Sequence, residues 1–470
     1  MAFNDLSFLF IFFPVFLLLH GLMPMKGKNL VLLILSLIFF AWGSPTYVVL
    51  MILIILFNFF SGLRIGQQKE AGSQGGAKAT LISAVVMNVL LLGFFKYRGF
   101  LIENINALLG TRFSAGSASM PMGVSFFTFS ILSYLFDVYR GKAPAAKNIL
   151  NFSLFVTFFP KLVSGPIIQY SQMEEQIRQR KLTQTLFGSG CRMFLIGLSK
   201  KVLLANILGT TFYAVTALPA GQISVVTAWL GALSYSLMLY FDFSGYSDMA
   251  IGLGQMCGFN FGKNFDYPYL SSSISEFWRR WHISLGSWFR DYVYIPLGGS
   301  RVSTAKNIRN LLIVWGLTGI WHGANWNFLF WGLYHGCILL VEKFLLKKVL
   351  DKIPTFIRVF FTVILAVIGW VFFFSPSLGD AFLWLGRMFG IGAAGFLDAT
   401  GKYYLAGSAA ILIIGAFSAY PIGARLGSLI YRGNSKIPAA LSVIWFALLL
   451  LLCIAGMTSS TYSSFLYFQF

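Results

Sequence analysis

The sequence predicts an all-α integral membrane protein, polytopic, with about 11 to 13 spans plus re-entrant or interfacial helices. Three observations carry that class. The chain of 470 residues is 57% hydrophobic and only 11% charged. Its mean hydropathy is +0.75. Apolar runs recur along its whole length. A soluble domain has neither this composition nor this many uninterrupted apolar stretches.

A segment of roughly 20 apolar residues crosses the hydrocarbon core as a helix. Runs of this kind lie at Leu9 to Met23, Leu30 to Trp42, Tyr47 to Leu63, Ala79 to Phe95, Ile149 to Leu162, Phe187 to Leu208 and Val225 to Phe241. They continue at Leu311 to Ile320, Phe328 to Val341, Phe356 to Phe374, Tyr404 to Tyr420 and Pro438 to Ile454. Several fall short of spanning length, and a short run is expected to be a broken or re-entrant helix whose backbone groups find partners in the protein. The first run has no basic residue before it and no small-residue cleavage pattern after it, so it is expected to remain as a span. Asp5 precedes it, whereas Lys26, Lys28 and then Arg64, Lys69 and Lys78 follow. The positive-inside rule therefore puts the N-terminus outside and those loops in the cytoplasm.

The net charge of +20, from 35 basic and 15 acidic residues, is mostly what positive-inside loops require, and it suits contact with anionic lipid headgroups. Nucleic acid is not an expected partner, since no compact basic domain stands apart from the spans. The four cysteines, Cys191, Cys257, Cys337 and Cys453, are scattered and apolar in setting, so neither a metal site nor a disulfide framework is expected. No Walker-type phosphate loop is present, which argues against an ATP-driven pump. With no internal repeat and no separating linker, residues 1–470 read as one polytopic domain. Polar motifs concentrate at 240–340, and an aromatic tail occupies 463–470.

The centre of the chain departs from simple spans. From Ser275 to Tyr292 the sequence sets Phe277, Trp281, Leu285, Trp288 and Tyr292 on one helical face, with Glu276 and Arg280 four apart as an ion pair. An amphipathic helix of this kind lies at an interface or dips into a protein-lined cavity. His282 sits in it beside Arg279, Arg280 and Trp281; a solvated surface histidine and a catalytic one both fit that setting.

His322 carries more weight. It lies in Trp321-His322-Gly323, at membrane depth between glycines that allow close approach of a backbone or ligand. An ionisable group there is a functional candidate by default, and imidazole is the side chain best suited to move a proton near neutral pH. His335, 13 residues further on, would be ~20 Å away on a continuous helix, so both serve one atom only if the helix breaks between them. His335 is read as a packing or pathway residue and His20 as structural. A third cluster, Asp242, Ser244, Tyr246, Ser247 and Asp248 with Tyr240, brings carboxylates and hydroxyls to the end of an apolar run. Two readings stand for it: a helix cap with an Asp-based turn, or a set that bonds the central histidines and arginines or lines a water-filled funnel.

In order along the chain come Asp242-Phe-Ser-Gly-Tyr-Ser-Asp, Asn264-Phe-x-x-Pro-Tyr, Phe277-Trp-Arg-Arg-Trp-His-Ile-Ser-Leu, Asp291-Tyr-x-Tyr-Ile-Pro-Leu-Gly-Gly and Trp321-His-Gly-Ala-Asn-Trp. Together they resemble the membrane-bound O-acyltransferases, in particular the bacterial branch with the alginate, peptidoglycan and cellulose O-acetylation membrane subunits. Gly123-Val-Ser-Phe-Phe-Thr-Phe, Asp137-Val-Tyr-Arg-Gly and Phe159-Pro-Lys-Leu-Val-Ser-Gly-Pro-Ile extend the resemblance upstream.

The resemblance implies a ring of tilted spans around a thinned centre, with a funnel from each side meeting at a histidine. It places the family's invariant histidine at His322 and the second residue of the catalytic pair at His282. It implies acetyl-coenzyme A as donor, no permanently bound cofactor, location in the bacterial inner membrane, and an extracytoplasmic esterase-like partner of the SGNH type that passes the acetyl group to a polysaccharide. On that view His322 is the general base and His282 or its neighbours orient it or the donor. Arg279, Arg280 and backbone amides near Gly323 meet the developing oxyanion, and Trp321, Asn325, Asp242, Ser244, Tyr246 and Asp248 line the funnel. The ending Ser463-Ser-Phe-Leu-Tyr467-Phe-Gln-Phe470 is similar to a short aromatic tail of this branch. Tyr467 is either an interfacial anchor or an acyl relay. Outside the enzyme class, a lipid or polysaccharide transporter and a non-catalytic scaffold for a secreted acetyltransferase would use the same spans; neither needs a thioester or a histidine base.

Overall fold

The computed structural model describes residues 1–114, 116, 119–422 and 436–459. Among them every regular element is helical, as hydrocarbon requires when each backbone group must be satisfied within its own segment. Nine helices among the described residues are long and apolar enough to cross a membrane, from Met25–Gly43 to Ala440–Ser459, and Phe8–Leu22 is a shorter apolar helix. Some runs below spanning length are completed by their flanks, Leu30 to Trp42 within helix Met25–Gly43 and Leu311 to Ile320 within Thr304–His322, while one is interrupted as expected. The run from Ile149 becomes two helices, Ile149–Thr157 and Phe159–Leu162, because Phe158 leaves helical backbone geometry and Pro160 opens the second piece.

The chain divides into two compact units. The first comprises Met1–Phe194, Met249–Gly262 and Arg290–Tyr292. Its interior is built on phenylalanine, with the rings of Phe12, Phe16 and Phe39 at 5.3, 5.4 and 5.7 Å from Phe159. Inside a membrane such rings gain dispersion and edge-to-face contacts more than burial from water. Helix Val124–Arg140 is buried along nearly all of its length. Its one carboxylate, Asp137, accepts hydrogen bonds from the Tyr292 hydroxyl at 2.8 Å and the Ser171 backbone N–H at 3.0 Å. Arg140 donates to the Asp291 carbonyl at 2.8 Å. The upstream Asp137-Val-Tyr-Arg motif is thus a structural knot within this unit.

The second unit comprises Leu195–Asp248, Lys263–Phe289 and the described residues from Val293 onward. Its centre is a hairpin of Thr304–His322 and Trp326–Val341. The turn begins at Gly323, which is extended at φ −164°. A Cβ on Gly332 would fall 2.3 Å from the Trp315 carbonyl oxygen and 3.0 Å from Gly319 Cα, so small residues let the two helices close backbone against backbone. Helix Thr355–Phe374 packs alongside, with the Tyr334 hydroxyl donating to the Leu365 carbonyl at 2.9 Å and Asn327 donating to Ser375 at 2.6 Å.

The amphipathic segment differs from expectation. Ser275 to Tyr292 is not one helix but three pieces, Ile274–Arg280, Ile283–Phe289 and a π-helical turn Arg290–Tyr294. The break falls at His282, whose backbone is left-handed at φ +45°. Two hydrogen bonds impose it. The Ile283 N–H donates to the Asn264 carbonyl at 2.9 Å, and the Arg280 carbonyl accepts from the Asp266 N–H at 2.9 Å. The preceding segment thereby takes over the ladder bonds that would have continued the helix. The apolar face survives, since Phe277, Trp281, Leu285, Trp288 and Tyr292 are all buried. Ser273 caps the first piece by accepting from the Glu276 N–H at 3.0 Å, and Glu276 pairs with Arg280 at 2.7 Å as their spacing predicts.

Candidate active site

The break at His282 decides how that imidazole is presented. Its Nδ1 lies 3.3 Å from Asn264 Oδ1, which also accepts from the Ser284 N–H at 3.1 Å and the Ser284 hydroxyl at 2.9 Å. A backbone N–H can only donate, so the Asn264 atom in this cluster is the oxygen and His282 Nδ1 carries the proton. Asn264 is held in turn by its amide group, which donates to the Ser247 hydroxyl at 2.8 Å. The remaining nitrogen, Nε2, is buried with no hydrogen-bond partner. Burial pushes the imidazole down to about 3. His282 is therefore a neutral base with a free lone pair at physiological pH.

Rings enclose it. Phe243 stands edge-on at 4.6 Å, Phe265 is stacked at 6.4 Å and Trp321 lies at 6.2 Å. Trp321 also meets the ring of His322 at 4.9 Å, so one indole contacts both imidazoles. His322 ends its helix, 5% exposed, with Trp331 at 4.9 Å and Phe373 at 5.3 Å, both edge-to-face. Gly323 is buried, and a Cβ there would fall 2.2 Å from the Phe328 ring; that glycine makes room for an aromatic wall.

The hairpin turn supplies the helix break that separates His322 from His335. Trp331 touches both rings, at 4.9 and 5.2 Å. His335 is buried against Trp278 at 4.9 Å and Trp315 at 5.8 Å, with neither ring nitrogen hydrogen-bonded.

The other expected site residues fall in distinct places. Arg280 is spent on Glu276 and on the Asp266 carbonyl at 3.2 Å, whereas Arg279 is exposed and forms no ion pair among the described residues. Asn325 is exposed at the hairpin turn and donates to the Pro376 carbonyl at 3.2 Å. The Asp242 to Asp248 cluster is not a helix cap. It lies inside the continuous helix Val225–Met256, where intramembrane carboxylates need cations. Asp242 pairs with buried Lys201, and Asp248 with Lys200 at 2.6 Å. Tyr246 and Ser244 are fully buried, the Ser244 hydroxyl without a hydrogen-bond partner. Tyr467 lies outside the described residues.

Sequence reasoning missed the residues that support these groups. Lys200 and Lys201 were legible as two adjacent charges within the apolar run Phe187 to Leu208. Glu342 was not: its carboxylate accepts from the Ile274 and Ser275 N–H groups at 2.6 and 2.9 Å, capping from a distant helix the segment that carries Arg279 and Arg280. Asn264 stood within a motif but gave no sign that it sets a histidine tautomer.

Fold and site thus define a polytopic helical membrane protein with buried imidazoles in an aromatic setting. The model of the membrane-bound O-acyltransferase family matches residues 124–378. A relative named a probable alginate O-acetylase in Azotobacter vinelandii is 38% identical over the whole of both chains. Its namesake in Pseudomonas aeruginosa is 43% identical over 83% of this chain and 75% of its own. A peptidoglycan O-acetyltransferase of Helicobacter pylori is 36% identical over 83% of this chain and 80% of its own. The chain belongs to the membrane-bound O-acyltransferase family, and it is an O-acyltransferase.

Proposed function

We propose that the chain moves acetyl groups from acetyl-coenzyme A in the cytosol, across the inner membrane, for O-acetylation of an extracytoplasmic polysaccharide. The observation that best supports it is the pair of buried imidazoles that both meet the ring of Trp321, one with its tautomer fixed by Asn264. The relatives named for alginate and peptidoglycan O-acetylation support the acetyl group and a glycan acceptor.

In the reaction a hydroxyl oxygen attacks the thioester carbon, a C–O bond forms and the C–S bond breaks. The hydroxyl proton passes to imidazole Nε2 and from there to the departing sulfur, which leaves as the free thiol. His322 is the proposed base, because it ends its helix, buried, at the hairpin turn that begins at Gly323. His282 orients the donor or the base. A second reading is favoured by one specific observation: the unpartnered Nε2 of His282 makes that residue itself able to take the proton. Arg279, exposed and with no carboxylate partner among the described residues, is the proposed contact for donor phosphates; Arg280, bound to Glu276, is assigned a structural role.

The acceptor side needs an extracytoplasmic carrier, because a site at membrane depth does not reach along a glycan. An esterase-like partner with a serine nucleophile fits that need. The test is reconstitution in sealed liposomes with acetyl-coenzyme A outside and polymer inside. Acetylation is expected only when the partner is present inside, with one thiol released per ester formed. Polymer acetylated by the chain alone would overturn the relay.

Tyr467 is the proposed first carrier of the acetyl group. Tyr467→Phe keeps the ring but removes the only nucleophilic oxygen of that side chain, so polymer acetylation is expected to fall at least tenfold with normal membrane insertion. Mass spectrometry of the C-terminal peptide, after exposure to donor without partner, is expected to show an acetyl ester on Tyr467. An unmodified peptide with full activity of the Phe variant would make the tail an interfacial anchor.

A further inference from the structure

Two cations in the first unit stand together without a carboxylate counter-ion among the described residues. Lys28 lies in the first turns of helix Met25–Gly43, is 6% exposed, and donates its ammonium to the carbonyl of His20. Arg180 follows helix Tyr170–Gln179. It donates Nε to the Cys257 carbonyl at 2.8 Å and Nη1 to Asn29 Oδ1 at 2.5 Å, while its guanidinium lies over the Phe259 ring at 4.4 Å. The two charges act on each other and on the His20 imidazole, which is 3% exposed.

Among the described residues neither Lys28 nor Arg180 forms an ion pair with a carboxylate. The Cys257 thiol does not serve, because burial holds it up at about 12. Two hydrogen-bonding groups at the cluster are also left over: Arg180 Nη2 and His20 Nε2 are buried without a partner. The helix beginning at Met25 has Pro24 as its N-cap and no side-chain cap, so its N-terminal end adds positive potential at the same place. A buried lysine beside a half-buried arginine with an unpartnered Nη2 is costly, and a bound anion removes that cost.

We propose that Lys28, Arg180 and His20, at the uncapped start of helix Met25–Gly43, form a binding site for a phosphate ester. Lysine and arginine together suit phosphate oxygens, and the forked guanidinium holds one of its N–H edges free for them. The cluster lies at the end of one apolar helix and the start of the next, which is headgroup depth. The phosphate ester has two possible sources, a membrane phospholipid and coenzyme A. Only the second rests on the donor proposed above, and the readout here is binding, not turnover, so the two ideas fail separately.

The test uses the full chain in a neutral detergent free of phosphate. Each phosphate-bearing probe is paired with a phosphate-free control: phosphatidylglycerol with diacylglycerol, and coenzyme A with pantetheine. One phosphate-bearing probe is expected to raise the unfolding temperature and to be retained in native mass spectrometry, while its control does neither. Lys28→Met with Arg180→Met is expected to weaken that probe at least tenfold, and Lys28→Arg to retain it. Arg180→Met also breaks the bonds to Cys257 and Asn29, so Lys28→Met alone, which loses only one bond to a carbonyl, serves if the double variant does not fold. A response to phosphatidylglycerol assigns the site to a lipid headgroup, and a response to coenzyme A assigns it to the donor. Equal binding of probe and control, or unchanged binding in Lys28→Met and the double variant, overturns the site.

Discussion

His322→Ala is expected to abolish acyl transfer, by a hundredfold or more, while the chain still inserts and purifies as a folded species. A positioned base contributes about two to four powers of ten to a rate, and in the proposed step it is His322 that receives the hydroxyl proton. The truncation also opens a space between Trp331 and Phe373, so a packing loss has to be separated from a chemical one. His322→Gln does this, since it keeps most of the volume and a polar end but no basic nitrogen. Both variants are expected to be inactive, and Gln to match the parent in size-exclusion profile and unfolding temperature. Thiol release from acetyl-coenzyme A, followed with a thiol reagent in the presence of the partner, is the measurement. A well-folded His322→Gln chain with near-parental turnover would remove His322 from the chemistry and leave it as an aromatic-packed core residue.

How much of this was legible depends on the range of the interaction. Hydropathy marked the spans because each needs only its own length and composition. The Glu276–Arg280 pair was legible because both partners lie on one short helical stretch. The turn between His322 and His335 was marked only by the gap between the apolar runs Leu311 to Ile320 and Phe328 to Val341.

The break at His282 had no such mark. Nothing in Phe277-Trp-Arg-Arg-Trp-His-Ile-Ser-Leu interrupts a helical pattern, and histidine seldom takes a positive φ. What breaks the helix is the distant segment of Asn264 and Asp266: the Asn264 carbonyl and side-chain oxygens accept from the Ile283 and Ser284 N–H groups, and the Asp266 N–H donates to the Arg280 carbonyl. The partners of Asp242 and Asp248 were hidden in the same way, because ion pairs between distant helices leave no periodic trace. Local pattern thus gave the elements and named the histidines, while long-range hydrogen bonds decided how one imidazole is aimed.

That aim can be tested through a pair of residues. His282→Ala is expected to lower acyl transfer by about tenfold to a thousandfold, less than loss of His322, because water or a neighbour replaces an orienting contact in part. Asn264→Leu keeps the volume but removes the acceptor that fixes the proton on Nδ1, so Nε2 is no longer held as the free base. It also strands the Ser284 N–H, at a cost of about 1–3 kcal/mol in stability. If Asn264 acts on catalysis through His282, the double variant is no slower than His282→Ala alone, since the second change removes support from a ring that is already gone. Asn264→Asp gives the opposite sign. A carboxylate against Nδ1–H favours the imidazolium, raises a pKa now depressed by burial, and moves the acid limb of the pH–rate profile to higher pH. Penalties that add in the double variant, together with an unmoved acid limb in Asn264→Asp, would separate the two residues and leave Asn264 as the structural pin of the helix break.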